Sequence, residues 1–251
     1  MIGCDCDTCR STDPRDKRRR PSVYVEADDG TAILVDAGPD LRAQALDYDV
    51  RRIDALLFTH GHSDHILGLD ELRRYNALQH RPMSCYADRQ TIGDIKRMFA
   101  YVFDPATPRG GGLPQLELFT IAGAFCVGHQ EVLPVPIFHG ERPILGFRLG
   151  GFAYLTDCSR IPDESWNLLG DLDLLVLDAL REKPHPTHFS IAEAVDAARR
   201  IRARRTCFTH MTHDLRHEPT CARLPETMQL AYDGLVLEIS SREPRTANHE
   251  P

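Results

Sequence analysis

The chain has 251 residues, 42% hydrophobic and 27% charged, with a formal net charge of −7 at pH 7. That length allows a substantial core within one domain spanning residues 1–251, the composition is ordinary for a globular protein, and the acidic balance argues against a general nucleic-acid coat. No stretch approaches the roughly 20 apolar residues of a membrane span. Met1-Ile2-Gly3-Cys4-Asp5-Cys6 carries no apolar signal segment, so a cytoplasmic location is expected. Eight cysteines in such a chain read as metal ligands rather than as a disulfide framework.

In chain order, the basic run Arg15-Asp16-Lys17-Arg18-Arg19-Arg20 reads first as a solvated loop and second as a contact for substrate phosphate. Ser22–Ala27 and Ala32–Asp36 are predicted strands joined by the turn Asp28-Asp29-Gly30. A short helix is expected from Pro39 to about Leu46. Ala55–Phe58 is a buried strand, and Asp70–Leu78 and Gln90–Phe103 are helices. Asp104–Pro114, rich in Pro and Gly, is a mobile loop. Strands follow at Leu116–Thr120, Ala124–Val127, Glu131–Ile137, Leu145–Leu149 and Phe152–Leu155. Pro162–Leu169 is a short helix, Leu172–Leu177 an apolar strand, Ile191–Arg202 an amphipathic helix and Thr206–Thr209 a strand. Leu235–Ile239 closes the chain before a disordered tail over residues 242–251. Strands followed by helix, twice over, imply a layered α/β sandwich, two facing mixed sheets with helices outside.

Ala55–Phe58 delivers the chain into Thr59-His60-Gly61-His62-Ser63-Asp64-His65. Three imidazoles and a carboxylate crowded on one turn need a compensating charge, and they form a ligand set for zinc, manganese or iron. If the segment alternates, His60 and His62 point one way and Asp64 and His65 the other, so one loop can serve two metals. His139, Asp157, Asp178 and His210 stand at the ends of predicted strands, where sites gather in α/β folds. Of these, Asp178 reads equally as a supporting or a structural residue. Asp36, after Ile33-Leu34-Val35, is expected to fix a ligand imidazole. Cys4-Asp5-Cys6-Asp7-Thr8-Cys9 is a second metal signal. It lacks a fourth ligand, for which His213, His217, Cys207 and Cys221 all qualify.

Thr-His-Gly-His-Ser-Asp-His, preceded by Val-Asp-Ala-Gly at 35–38, resembles the THxHxDH signature of the metallo-β-lactamase superfamily. The cysteine loop, Ser11-Thr12-Asp13-Pro14-Arg15 and Phe208-Thr209-His210-Met211-Thr212-His213 resemble the branch containing the phosphoribosyl cyclic phosphate phosphodiesterase of phosphonate breakdown. The resemblance implies an αββα sandwich. It implies one metal held by His60, His62 and His139, another by Asp64, His65 and His210, and Asp157 bridging them, all seven ligands being matched. The ions would be zinc or manganese, and a metal-bridging hydroxide would attack phosphorus. Asp64 would thus belong to the catalytic set, and His188 would protonate the leaving alkoxide or steady the phosphate. The resemblance also supplies His213 as fourth ligand of a structural zinc with Cys4, Cys6 and Cys9, within an N-terminal zinc loop of about residues 1–21. His185 and His217 remain surface histidines by default. The family opens with a strand and a Gly-rich turn before its Gly-Cys motif. Here Met1-Ile2-Gly3 begins the chain, so that first strand is expected to be missing.

The expected substrate is a small cyclic phosphate or nucleotide-like ester, with no membrane or nucleic-acid partner; a homodimer is the base-rate expectation. The rival within hydrolases is a tRNA 3′-processing nuclease, disfavoured by the negative charge and by the lack of a long insertion. Thioester hydrolysis does not suit the cysteine loop, and redox di-iron sites prefer a carboxylate at the position of His62. The rival outside hydrolases is a non-hydrolytic relative of the pyrroloquinoline quinone biosynthesis type.

Overall fold

The computed structural model describes residues 1–108, 110 and 112–239; the tail expected over 242–251 lies outside them. The described strands are β1 (Val23–Glu26), β2 (Ala32–Val35), β3 (Ala55–Leu57), β4 (Met83–Ala87), β5 (Leu116–Thr120), β6 (Phe125–Val127), β7 (Gln130–His139), β8 (Arg142–Leu149), β9 (Phe152–Leu155), β10 (Leu174–Asp178), β11 (Arg205–Thr209) and β12 (Met228–Leu230). They form one sheet in the order β1-β2-β3-β4-β5 and another in the order β12-β11-β10-β9-β8-β7-β6.

Period-2 alternation sorts the side chains into three apolar layers. In β2 and β3, Ile33, Val35, Ala55 and Leu57 face the second sheet, where they meet Phe147, Phe152, Tyr154, Leu174 and Val176. Leu34, Leu56 and Phe58 face outward and pack with Leu41, Leu72, Tyr75 and Ile95, from helices over the first sheet. On the other flank Leu155, Leu175, Leu177 and Phe208 pack with Ile191, Ala194, Ala198 and Ile201 of helix Ile191–Ile201. The result is the expected αββα sandwich.

That last helix starts where a capping box sits: Ser190 Oγ accepts from Glu193 N, and the Glu193 carboxylate accepts from Ser190 N. Such a cap contributes about 1 kcal/mol. Its end is Arg202, in the left-handed conformation.

Several expectations are corrected. Met83–Ala87, not expected as a strand, lies inside the first sheet between β3 and β5. The helix expected over Gln90–Phe103 is two, Arg89–Met98 and Ala100–Phe103, divided at Phe99. The helix expected from Pro39 begins at Leu41. Residues 235–239 enter no ladder; Leu235, Leu237 and Ile239 instead rest on the layer between the sheets. The described part of 104–114 beyond Asp104 has no helix or strand.

β1 is an edge strand. Beside it a concavity of about 2560 Å³ runs between residues 23–26, the N-terminal loop and residues 231–239. No helix among the described residues is long and apolar enough to cross a membrane.

Strand direction positions the site. β2 and β3 run parallel, as do β9, β10 and β11. β7 and β9 each pair antiparallel with β8, so they too share a direction. The residues after or at the C-terminal ends of these strands are Asp36, Thr59-His60, His139, Asp157, Asp178 and His210, and they gather at one end of the sandwich. A hydrogen bond from Leu145 N to Thr59 O, 3.1 Å, ties the sheets together there.

Candidate metal centres

Asp36, Asp157 and His210 all have left-handed backbones, with φ of 62°, 54° and 61°. Each such residue costs about 1 kcal/mol or more, and each turns the chain sharply just past a strand. Gly38 serves the same corner by close approach: a Cβ there would lie 2.2 Å from the Asp64 carbonyl oxygen. Ala37 N donates to His65 O at 2.7 Å, so the Val-Asp-Ala-Gly segment clamps the histidine turn from below.

His62 is extended, and the helical turn Ser63–Ile66 begins directly after it. The expected strand-like alternation therefore does not divide the histidine cluster; this change of backbone direction does. The ligand atoms of His60, His62, His139 and Asp157 converge within 4.8 Å of one another, and so do those of Asp64, His65 and His210. Asp157 faces both groups. Its Oδ2 lies 3.8 Å from His60 Nε2, while its Oδ1 lies 3.1 Å from His65 Nε2 and 3.4 Å from His210 Nε2.

Three of the imidazoles are held from behind. His65 Nδ1 donates to Asp36 Oδ2 at 2.7 Å, and His139 Nδ1 donates to Thr187 O at 2.8 Å. Thr59 Oγ1 donates to Asp36 Oδ2 at 2.8 Å and lies 3.0 Å from His60 Nδ1. Asp36 thus supports two imidazoles, one directly and one through Thr59, a relay that no local sequence pattern announces. The opposite nitrogens, His60 Nε2, His65 Nε2 and His210 Nε2, are buried and make no hydrogen bond among the described residues. Buried nitrogens left without a partner are costly. Here they converge on common points, which fits metal ions as the missing partners.

Electrostatics agree with that fit. Burial pushes His60 down to about 2, and lowers His62 and His139. Burial would lower His65 and His210 as well, but Asp36 and Asp157 outweigh it at His65, and Asp157 and Asp64 at His210, so both are raised. Asp64 is held below the usual carboxylate range, chiefly by His210. Burial opposes ionisation of Asp157, yet His210 and His65 keep it low.

His188 is buried, with Nδ1 3.2 Å from Asp178 Oδ2 and Nε2 3.9 Å from Asp157 Oδ2. Burial pushes His188 down to about 4. Asp178, which also accepts from Phe189 N and lies 3.8 Å from His210 Nδ1, is raised by complete burial. It is a supporting carboxylate behind two site histidines.

The cysteine loop closes on His213. Cys4 Sγ, Cys6 Sγ and Cys9 Sγ lie 3.3, 3.3 and 3.6 Å from His213 Nδ1. Tetrahedral zinc with bonds of about 2.3 Å to sulfur and 2.05 Å to nitrogen sets that edge at about 3.5 Å, so the donor set fits zinc. Cys6 is pushed down to about 6, by the Cys9 N–H and then by His213. Of the other qualified ligands, Cys207 and Cys221 stand apart from this cluster. His217, expected on the surface, is buried, its Nε2 3.6 Å from Cys221 Sγ. His185 is partly buried with its ring 5.2 Å from that of His188.

Comparison with known proteins agrees with this geometry. The Beta-lactamase superfamily domain matches residues 31–211. A solved structure described as a new diphosphatase from the PhnP family is 45% identical, with a TM-score of 0.87, covering 94% of this chain and 89% of that one. An octanoyltransferase of Porphyromonas gingivalis is 36% identical over the whole of this chain, which spans only 51% of that protein. A ribonuclease Z of Pyrobaculum islandicum is 25% identical over 79% of this chain and 83% of its own length. The chain belongs to the metallo-β-lactamase superfamily, within its PhnP family.

Proposed function

We propose that the chain is a binuclear phosphodiesterase for small anionic phosphate esters, with cyclic phosphates, nucleotide-like esters and diphosphate esters as the substrate class. The observation that carries this reading is Asp157, which offers one carboxylate oxygen to each histidine group. His60, His62 and His139 would hold one zinc or manganese ion, Asp64, His65 and His210 the other. When bound, the ions would lower the pKa of bound water and offset charge developing on phosphate. The 45% identical PhnP-family diphosphatase adds diphosphate esters to the cyclic and nucleotide-like esters.

His188 has its Nδ1 against Asp178, which leaves Nε2 facing the site. In the metal-free protein the ring is neutral at pH 7. A bound phosphate anion raises its proton affinity, and Nε2–H then donates to a phosphoryl oxygen or to the leaving alkoxide. The Cys4, Cys6, Cys9 and His213 group would hold a structural zinc, and its thiols suit the reducing cytoplasm. The formal charge of −7 does not favour tRNA as substrate.

The test is turnover of bis(p-nitrophenyl) phosphate, a 2′,3′-cyclic nucleotide and a dinucleoside diphosphate, each with zinc or manganese added. Turnover abolished by chelator supports the reading. A protein that binds these metals yet cleaves none of the three would refute it, in favour of a non-hydrolytic role.

A further inference from the structure

The basic run at 15–20 is not a uniformly solvated loop, because most of its charges are consumed internally. Arg15 pairs with Asp13 and Glu218, both at 2.8 Å. Lys17 Nζ donates to Cys9 O at 2.9 Å. Arg18 donates to Thr212 O and Leu215 O, on either side of His213, at 3.0 and 2.6 Å. Arg19 pairs with Asp47 at 2.6 Å.

Arg20 differs. Its backbone is pinned, with N donating to Asp40 Oδ2 at 2.8 Å and O accepting from Gln44 Nε2 at 2.9 Å. Its side chain is 58% exposed, and among the described residues the nearest acid is Asp64, Nη1 to Oδ2 at 3.9 Å. That separation is too long for a hydrogen bond, so the donors of the guanidinium remain available. The group stands at the rim of the site. Asp64 is 25% exposed, whereas Asp157 and His188, where the reacting phosphate would lie, are only 3% and 9% exposed.

We propose that Arg20 is a specificity-determining residue, binding a second anionic phosphoryl group of the substrate while the reacting phosphate sits deeper, at Asp157 and His188. This rests on the phosphodiesterase reading and narrows it to substrates with two phosphoryl groups, as in a diphosphate ester. A guanidinium suits that task because it presents paired, permanently charged donors to phosphate oxygens. Because Arg18 and Lys17 fasten the same loop to the cysteine-His213 group, that group also sets where Arg20 stands.

The test is calorimetric titration of inorganic pyrophosphate and of orthophosphate into the metal-loaded protein. Wild type, Arg20→Ala and Arg20→Lys are compared with Arg52→Ala, a charge-matched control whose side chain meets Asp54. Arg20→Ala is expected to weaken pyrophosphate about 10- to 100-fold, the range of a charge-assisted hydrogen-bonding pair, and orthophosphate much less. Arg20→Lys should fall between, and metal content should be unchanged in both. Pyrophosphate affinity within about twofold of wild type, an equal loss for both anions, or loss of metal in Arg20→Ala would each overturn the proposal. Arg20-dependent pyrophosphate binding by a protein that cleaves no ester would refute the proposed function and leave this subsite standing.

Discussion

Asp36 Oδ2 accepts a 2.7 Å hydrogen bond from His65 Nδ1, and neither side chain reaches solvent. The same oxygen accepts from Thr59 Oγ1, which meets His60 Nδ1. One carboxylate from the first sheet therefore sets the ring orientation of one histidine in each metal group. It does so from a left-handed backbone position that turns it toward them.

Asp36→Asn keeps the shape but can no longer accept both hydrogen bonds at Oδ2 and that from Thr59 N at Oδ1. Metal affinity should fall about 10- to 100-fold, as for other residues that orient ligand imidazoles. Competition with a chromogenic chelator measures this directly. Wild-type affinity in Asp36→Asn would show that the histidines orient themselves.

His188→Ala should lower kcat by about 100-fold on substrates with poor leaving groups, the low end for proton transfer by a positioned side chain. The metals should remain bound, because His188 lies outside both proposed ligand sets. An activated p-nitrophenyl ester needs less protonation of its leaving group, so its loss should be smaller. Equal losses on both kinds of ester would assign His188 to the phosphate instead.

In the metal-free Cys6→Ser protein, which lacks the opposing titration of the low Cys6 thiol, the site histidines should place maximal stability near pH 6.5, the ordinary histidine value. His60, His62, His139 and His188 titrate lower in the folded state, so their contribution is present above 6.5 and lost as pH falls. His65 and His210 titrate higher, so theirs is present below 6.5 and lost as pH rises through their raised values. Urea midpoints of chelator-treated Cys6→Ser protein at about pH 5, 6.5 and 8 check this. A midpoint still climbing at the highest pH would contradict it.

Cys6→Ser should remove one metal per chain and lower the melting temperature by about 10 °C, the shift that about 3 kcal/mol produces in a chain this long. Because His213 follows His210 by three residues, diesterase activity should also fall while the other metals remain. Differential scanning calorimetry with elemental analysis separates the two effects.

The histidine turn was legible because its candidate ligands are contiguous and follow a buried strand directly. His139, Asp157 and His210 were legible because each follows an apolar β run. The contacts of Asp178 were not. Its approach to His210 depends on the β10–β11 register, in which Asp178 opposes Thr209, and no local pattern encodes that. Met83–Ala87 alternates buried and half-buried residues as a strand does, but of its residues only Tyr86 is a strand-favouring type, so the pattern is not visible in the sequence. Residues 235–239 have the alternation of a strand, yet packing on the inter-sheet layer satisfies it without a ladder. The basic run showed its charge in the sequence. Which of its cations remains available depends on partners as distant as Asp47, Thr212 and Glu218.

In the proposed function two ions share Asp157, apart from a third held by the cysteines. Elemental analysis of carefully desalted protein, comparing wild type with Asp157→Ala, tests it most directly. Wild type should hold about three metals per chain, from the candidate ligand groups and their chemistry, falling to two or fewer in Asp157→Ala with loss of diester hydrolysis. About one metal per chain in wild type, removed by Cys6→Ser and unaffected by Asp157→Ala, would contradict it.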